Sequence, residues 1–329
     1  MKQSLLGLDI GGTKSSVIYG ETEGDSLTII GKAGFPTETN RGLNHTLEAI
    51  FRNIDLVIDK YNLSPEKIEA VGISCGGPLD SKTGTVMSPP NLPGWDNVPL
   101  VSLIISRYGI PAAIQNDANA CALAEWKFGA GRGTDNMIFM TFGTGMGAGL
   151  ILNGRLYAGT NDMAGEVGHI RLAETGPVGY GKAGSFEGFC SGGGIAQVAR
   201  TMIMEKFQMG ESVGFCKSNG DLNNITAQVI AEAAMNGDEL ALRIYQTSGE
   251  YLGKGLSILI DILNPQVIVI GSIFTRSREL LEPYAMDIIK KEALSHSRNV
   301  CRIVPAVLGE DLGDYAALSV AADHLRQQV

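Results

Sequence analysis

The chain has 329 residues, 44% hydrophobic and 19% charged, which suits a soluble globular protein of about two domains and excludes both a small stapled scaffold and general disorder. Lys and Arg number 26 against 35 Asp and Glu, a net charge of −9 with no basic block, so a nucleic-acid or anionic-membrane surface is not expected. The five cysteines (Cys75, Cys121, Cys190, Cys216 and Cys301) are odd in number and never paired as CxxC, which argues against a disulfide framework or four-thiolate zinc site and for a reducing, cytoplasmic setting.

Residues 5–10, a glycine turn and residues 15–19 read as two strands joined by a hairpin, with 27–30 a candidate third strand. Between Gly42 and Tyr61 the apolar residues Leu43, Leu47, Ile50, Ile54, Val57 and Ile58 recur every three or four positions, the stripe of an amphipathic helix. Residues 70–74 and 112–115 read as short buried strands, each ending in a polar or glycine-rich turn where a ligand site could sit, and 118–128 as a helix. A second strand, glycine turn and strand at 137–152 echoes the first hairpin, as two related halves of one molecule would, although two unrelated glycine hairpins would look the same. Residues 160–194 form a long glycine-rich segment of the kind that is usually functional or disordered, taken here as functional. Helices are expected at 195–207, 224–235, 238–262, 277–293 and 312–327, and strands at 267–270 and 301–304. No apolar run reaches the roughly 18 residues of a membrane span, and the N-terminus lacks a secretory core, so a soluble, unprocessed protein is expected.

Glycine, 43 residues, is well above ordinary usage, and its placement carries the chemistry. Asp9-Ile-Gly-Gly-Thr-Lys14 ends an apolar strand. Gly11 and Gly12 let backbone N–H groups approach a phosphate, Thr13 donates, Lys14 adds charge, and Asp9 could hold Mg²⁺ through water. It is neither a Walker A motif nor a GxGxxG turn, and an ordinary hairpin turn is the plainer account. Gly143-Thr144-Gly145-Met-Gly147 has the same character and the same alternative. In Asn116-Asp117-Ala-Asn119, Asp117 either caps the following helix or accepts a proton from a substrate hydroxyl attacking a phosphoryl group, with Asn116 fixing hydroxyls. Glu166, His169 and Glu187 supply the donors and acceptors a sugar needs, since a buried unpaired hydroxyl costs about 1 to 3 kcal/mol; singly, such residues are usually surface or core polar groups. Glu166 and His169 are not spaced as HExxH. Asn91-Leu-Pro-Gly-Trp95 is by itself a proline turn before a core aromatic, with Asn91 a sugar contact only in combination, and Met137, Met140 and Met146 read as core filler.

Together Asp9-x-Gly-Gly-Thr-Lys14, Gly72-Ile-Ser-Cys-Gly-Gly77-Pro78, Pro90-Asn-Leu-Pro-Gly-Trp95, Asn116-Asp-Ala-Asn119, Gly143-Thr-Gly-x-Gly147 and Gly165-Glu-Val-Gly-His169 resemble, in order and spacing, the ROK family of sugar kinases and repressors. The resemblance spans nearly the whole chain. It implies the α/β hexokinase and actin-like ATPase (ribonuclease H-like) fold: a small N-terminal domain of residues 1–117 plus 311–329, a large domain of 118–310, and a cleft between them. It implies ATP and Mg²⁺ as cofactors, Asp117 as the base, and Gly77, Asn91, Asn116, Glu166, His169 and Glu187 at the sugar. Asp9, Gly11, Gly12, Thr13, Lys14, Gly143, Thr144, Gly145 and Gly271 would face the nucleotide. A cytoplasmic homodimer acting on a small-molecule sugar, without nucleic acid or membrane, is the implied setting.

Three departures qualify it. Many relatives carry a CxCGxxGCxE zinc loop, where this chain has Val178, Tyr180 and Ser185 in place of the cysteines, so a zinc-free loop held by packing, with Glu187 kept, is expected. The adenine-side glycine pair reads Gly271-Ser272. No helix-turn-helix stretch precedes Asp9, as the repressor branch requires. Glucose is the leading substrate, with N-acetylmannosamine, N-acetylglucosamine, fructose and allose sharing these motifs. A catalytically silent sugar-binding regulator and a sugar-independent ATPase are the readings from other classes.

Overall fold

The structure, a computed structural model, describes residues 2–327. The chain begins with strands β1 (Lys2–Ile10), β2 (Lys14–Glu23) and β3 (Ser26–Pro36), followed by helix α1 (Leu43–Lys60) and β4 (Ile68–Cys75). A small hairpin of β5 (Leu79–Asp80) and β6 (Thr85–Val86) precedes α2 (Leu100–Tyr108), β7 (Ala112–Asn116) and α3 (Asp117–Phe128). Next come β8 (Met137–Phe142), β9 (Met146–Leu152), β10 (Arg155–Leu156), the hairpin β11 (Val178–Gly179) and β12 (Lys182–Ala183), then α4 (Phe186–Cys190), α5 (Gly192–Gln208), α6 (Ala227–Met235) and α7 (Glu239–Leu263). The last elements are β13 (Val267–Ile270), α8 (Ile273–Arg276), α9 (Arg278–Glu292), α10 (Ser295–Val300), β14 (Arg302–Pro305) and α11 (Leu312–Gln327). They gather into two compact units: Met1–Asp135 with Gly149–Ala164 and Val307–Val329, and Asn136–Ala148 with Gly165–Ala306.

The first unit is built on a sheet of order β3-β2-β1-β4-β7. Its β1–β2 and β2–β3 pairs are antiparallel, and β4 and β7 extend it in parallel from β1. The antiparallel pairing from Ser26 to Pro36 carries β3 beyond the expected residues 27–30. The stripe of α1 buries Ile50, Ile54 and Val57 in a core with Leu6, Leu8, Val71, Ile73 and Trp95. A separate cluster joins Leu5, Ile18 and Ala70 to Ala317, Leu318 and Ala321 of α11. Gly72 makes that second contact possible, because a Cβ there would lie 2.1 Å from the Ala317 carbonyl oxygen and 2.3 Å from the Ala321 nitrogen. Helix α2 was not expected from the sequence. Its apolar residues run almost without interruption, Leu100, Val101, Leu103, Ile104 and Ile105, and so lack a helical period, although Gly109 at φ 69° ends it in the left-handed conformation that glycine favours.

The unit boundary falls after Asp135, whereas the sequence suggested 117/118, because α3 packs on α11. The fully buried Glu125 of α3 reinforces this: one carboxylate oxygen accepts the N–H groups of Val307 (2.9 Å) and Leu308 (3.0 Å), the other that of Ala130 (2.8 Å). Three charge-assisted bonds compensate a carboxylate that would otherwise be costly to bury.

In the second sheet β8, β13 and β14 run parallel, Val267 lying opposite both Met137 and Arg302. The sheet order is β10-β9-β8-β13-β14. In chain order this is third, second, first, fourth, fifth, the order of the first sheet, and each sheet opens with a hairpin turning on glycines. The echo seen in the sequence is thus a shared topology. Met137, Met140 and Met146 are buried, as core filler should be. The long segment after Thr160 is ordered as a 3-10 turn (Val167–His169), the β11–β12 hairpin and α4. Among the described residues no helix is long and apolar enough to cross a membrane.

Candidate active site

Each unit gathers part of the expected constellation, and each part lies at the carboxyl ends of parallel strands, where open α/β sheets place their ligands. In the first unit Asp9 ends β1 beside Ser74 of β4. Burial raises the Asp9 carboxyl to about 6; the Ser74 hydroxyl pulls it down, Asp314 up, Lys32 down, and Asp117 up again. Asp314 is itself buried and held by Lys32 at 2.6 Å. The turn beyond Asp9 is closed by the Gly11 N–H donating to the Lys14 carbonyl (3.0 Å). Thr37 braces it from outside: its hydroxyl donates to the Gly11 carbonyl (2.6 Å) and its N–H to the Thr13 carbonyl (3.0 Å). Thr13 and Lys14 remain exposed.

Asn91 packs between two glycine segments. A Cβ on Gly12 would lie 2.7 Å from its carbonyl oxygen, and one on Gly76 2.8 Å from its side-chain amide. Gly77 neighbours Asn116, whose Oδ1 accepts the Asn119 N–H at 2.8 Å and so caps α3. Asp117, the first residue of α3, accepts the Ala118 N–H (2.8 Å) and keeps an exposed face. Desolvation by the surrounding protein raises its carboxyl pKa above the ordinary value, with the backbone N–H groups of Ala118 and Asp117 opposing. A reachable carboxylate of raised basicity can take a proton from a hydroxyl.

In the second unit Glu187, in the first turn of α4, accepts the Met146 N–H at 2.9 Å. His169 is exposed; Lys182 donates to its carbonyl (2.8 Å), and the Tyr180 ring stands edge-on to its imidazole at 6.4 Å. Glu166 is exposed and precedes the 3-10 turn. Gln197 grips the hairpin at both ends of one residue, donating to the Val178 carbonyl (2.8 Å) and accepting its N–H (3.0 Å). The hydroxyl of buried Ser185 caps α4 through the Gly188 N–H. Val178, Tyr180 and Ser185 therefore offer no thiolate, and a structural zinc does not fit this loop. Among the described residues no group of three or more His, Cys, Asp or Glu gathers to hold a metal ion.

A cavity of about 770 Å³ opens beside Gly143 and Thr144, lined also by Gly192 and Gly193 of α5, by Arg200, Ile225, Ala227, Glu232 and Tyr245, and by Ser272 and Arg276. The N-terminus of α5, capped by Ser191 on the Gly194 N–H (3.0 Å), lines it with Gly192 and Gly193 and so brings the positive end of the helix dipole to its wall. Gly271 directly follows β13, its N–H donating to the Met140 carbonyl, while Ser272 lines the cavity. Sequence reasoning missed Ser74, Lys32, Thr37, Asp314, Arg200 and Arg276. Only the helix start had a legible signal, a serine followed by three glycines at 191–194.

The two sheets of like order, with a glycine turn and acidic strand ends, define an α/β protein of the actin-like ATPase class. The chain belongs to the ROK family, whose profile matches residues 5–324. It is 30% identical over 325 residues to the glucokinase of Thermotoga maritima, covering 98% of this chain and 99% of that protein. The ROK hexokinase of Thermus thermophilus superposes with a TM-score of 0.80 at 25% identity, covering 99% and 100% of the two chains. The Streptomyces griseus ROK glucokinase in complex with glucose and AMPPNP does so with 0.73 at 28%, covering 97% and 99%. The N-acetylglucosamine repressor of Escherichia coli O6:H1 is 29% identical over 274 residues, 83% of this chain and 64% of that protein.

Proposed function

We propose that this chain transfers the γ-phosphoryl group of ATP to a hexose hydroxyl, with glucose as the acceptor and Asp117 as the base. One observation carries the reading: Asn116 performs the helix-capping task, so Asp117 stands just after β7, a residue open to solvent on one face with a carboxyl pKa raised by desolvation. In the reaction the sugar oxygen bonds to the γ-phosphorus, the bridging bond to ADP breaks, and Asp117 receives the hydroxyl proton and returns it to solvent. Asn91, Asn116, Gly77, Glu166, His169 and Glu187 position the sugar. The turns at Gly11–Lys14 and Gly143–Gly145 and the N-terminus of α5 cradle phosphates, and the cavity walled by Ile225, Ala227 and Tyr245 takes the adenosine.

When bound with ATP, Mg²⁺ would neutralise phosphate charge, and Asp9, a carboxylate beside the glycine turn, would be the residue to hold it. The likeness to glucokinases of both sequence and structure supports glucose, and the protein is taken as a cytoplasmic homodimer. The repressor relative favours a second reading, a sugar-binding regulator. ADP release with Mg·ATP over a panel of glucose, fructose, allose and the N-acetylated hexosamines tests both. Sugar-dependent turnover supports the kinase, sugar binding without turnover the regulator, and turnover without sugar refutes both. A metal assay finding stoichiometric zinc would refute the zinc-free loop.

A further inference from the structure

Three segments of the second unit converge on Glu187. Its carboxylate accepts the Met146 N–H at 2.9 Å, directly after the Gly143–Gly145 turn. Gly145 lies so close that a Cβ there would sit 3.0 Å from the same carboxylate oxygen. From the other side Gly168, next to His169, would place a Cβ 2.3 Å from the Met146 carbonyl oxygen and 3.2 Å from the Glu187 Cβ. Without Cβ atoms, Gly145 and Gly168 let the expected phosphate turn and the expected sugar segment pack against Glu187, whose carboxylate holds the turn through the Met146 N–H. Its own backbone is fixed as well, since the Glu187 carbonyl accepts the Ser191 N–H (2.9 Å) where α5 begins, and the Gly192 N–H donates back to Gly143 (2.8 Å).

We propose that Glu187 is a positioning residue for the nucleotide as well as a sugar contact: one carboxylate oxygen locks the Gly143–Gly145 phosphate turn and leaves the other for the sugar. This rests on the reading that the turn meets phosphates and Glu187 meets sugar. A residue confined to sugar binding would not affect nucleotide affinity when no sugar is present. One that holds the turn would.

The test is calorimetric binding of Mg·AMPPNP without sugar to the full chain and its variants. Glu187→Ala removes the acceptor and is expected to weaken binding about tenfold, the worth of one hydrogen bond to a charged group. Glu187→Gln keeps an oxygen for the Met146 N–H and is expected to stay within about threefold of the parent. Glu187→Asp, which keeps the charge but draws the acceptor back from the Met146 N–H, should weaken nucleotide binding too and serves if Glu187→Ala does not fold. Parental AMPPNP affinity in Glu187→Ala, or in Glu187→Asp where that variant alone folds, overturns the proposal while leaving the kinase reading intact. A parent that binds no AMPPNP overturns both.

Discussion

The Oδ1 of Asn116 accepts the backbone N–H of Asn119 at 2.8 Å, and that bond relieves Asp117 of the duty of ending the helix. The two neighbours therefore separate by mutation. Asn116→Ala should cost about 1 kcal/mol of stability, as loss of an N-cap does. Asp117→Asn keeps the shape of the side chain and should unfold within about 1 kcal/mol of the parent, retain sugar binding, and lose about two orders of magnitude or more in kcat. Because the base must be ionised and its pKa is raised, kcat/KM should fall with acid at a pH above the ordinary aspartate range. Denaturant melts and a pH–rate profile on the purified variants check these outcomes, and parental turnover in Asp117→Asn would remove Asp117 from the mechanism.

Asp9 makes the opposite kind of prediction, one about stability. Its carboxyl titrates near 6 in the fold against 3.8 for the ordinary group, burial being the chief cause. The fold thus binds this proton more tightly than the unfolded chain does. The associated stability is fully present below about pH 4 and is lost as pH rises through about 6. Asp9→Asn, which mimics the protonated form, should be more stable than the parent by about 2 to 3 kcal/mol at pH 8, with the difference vanishing near pH 4. Phosphoryl transfer should fall at the same time if Asp9 meets the metal-bound nucleotide. Urea melts at the two pH values read the first effect independently of activity.

Much of this was legible in the sequence, and what was missed has a physical pattern. Strong periodicity gave α1, and buried apolar runs gave β4, β7 and β13 within a few residues. Helix α2 escaped because its continuous apolar run suits a strand as well as a helix. Within the site, the glycine turns and Asn116-Asp117 announce themselves by residue type and spacing. Thr37, Lys32 and Asp314 do not: they reach Gly11 and Asp9 only through the pairing of β2 with β3 and the packing of α11, which no local pattern encodes. Gly271 illustrates the converse, a motif residue whose neighbour Ser272 is the one that faces the cavity.

Ser272 holds φ 56° and ψ −114°, a conformation that a Cβ disfavours and glycine adopts freely. Such strain costs on the order of 1 to 3 kcal/mol. Ser272→Gly should therefore stabilise the protein by about 1 kcal/mol, the relief being offset in part by the greater freedom of glycine in the unfolded chain. Thermal melts should show a rise of about 1 to 2 °C for a chain of 329 residues. A lowered melting temperature would mean that the Arg276 bond to the Ser272 hydroxyl (3.3 Å) outweighs the strain.

Tyr180 offers the sharpest test of how the loop works without thiolates. It is exposed, sits at φ 43°, and presents its ring to the edge of His169, while Lys182 on the other arm of the hairpin holds the His169 carbonyl. An aromatic pair of this geometry is worth about 0.5 to 1.5 kcal/mol. Tyr180→Gly removes the ring and keeps the left-handed backbone without strain, so the fold should persist. If the ring orients His169 toward the sugar, the variant should raise the sugar KM about fivefold with kcat within about twofold, while Tyr180→Phe should behave as the parent. The nucleotide KM is the internal control, because the Gly143–Gly145 turn is held by the Glu187 carboxylate, which Tyr180→Gly leaves in place. Unchanged sugar KM in Tyr180→Gly would leave Lys182 and the Gln197 clamp as the supports of His169, and Lys182→Ala would then carry the effect.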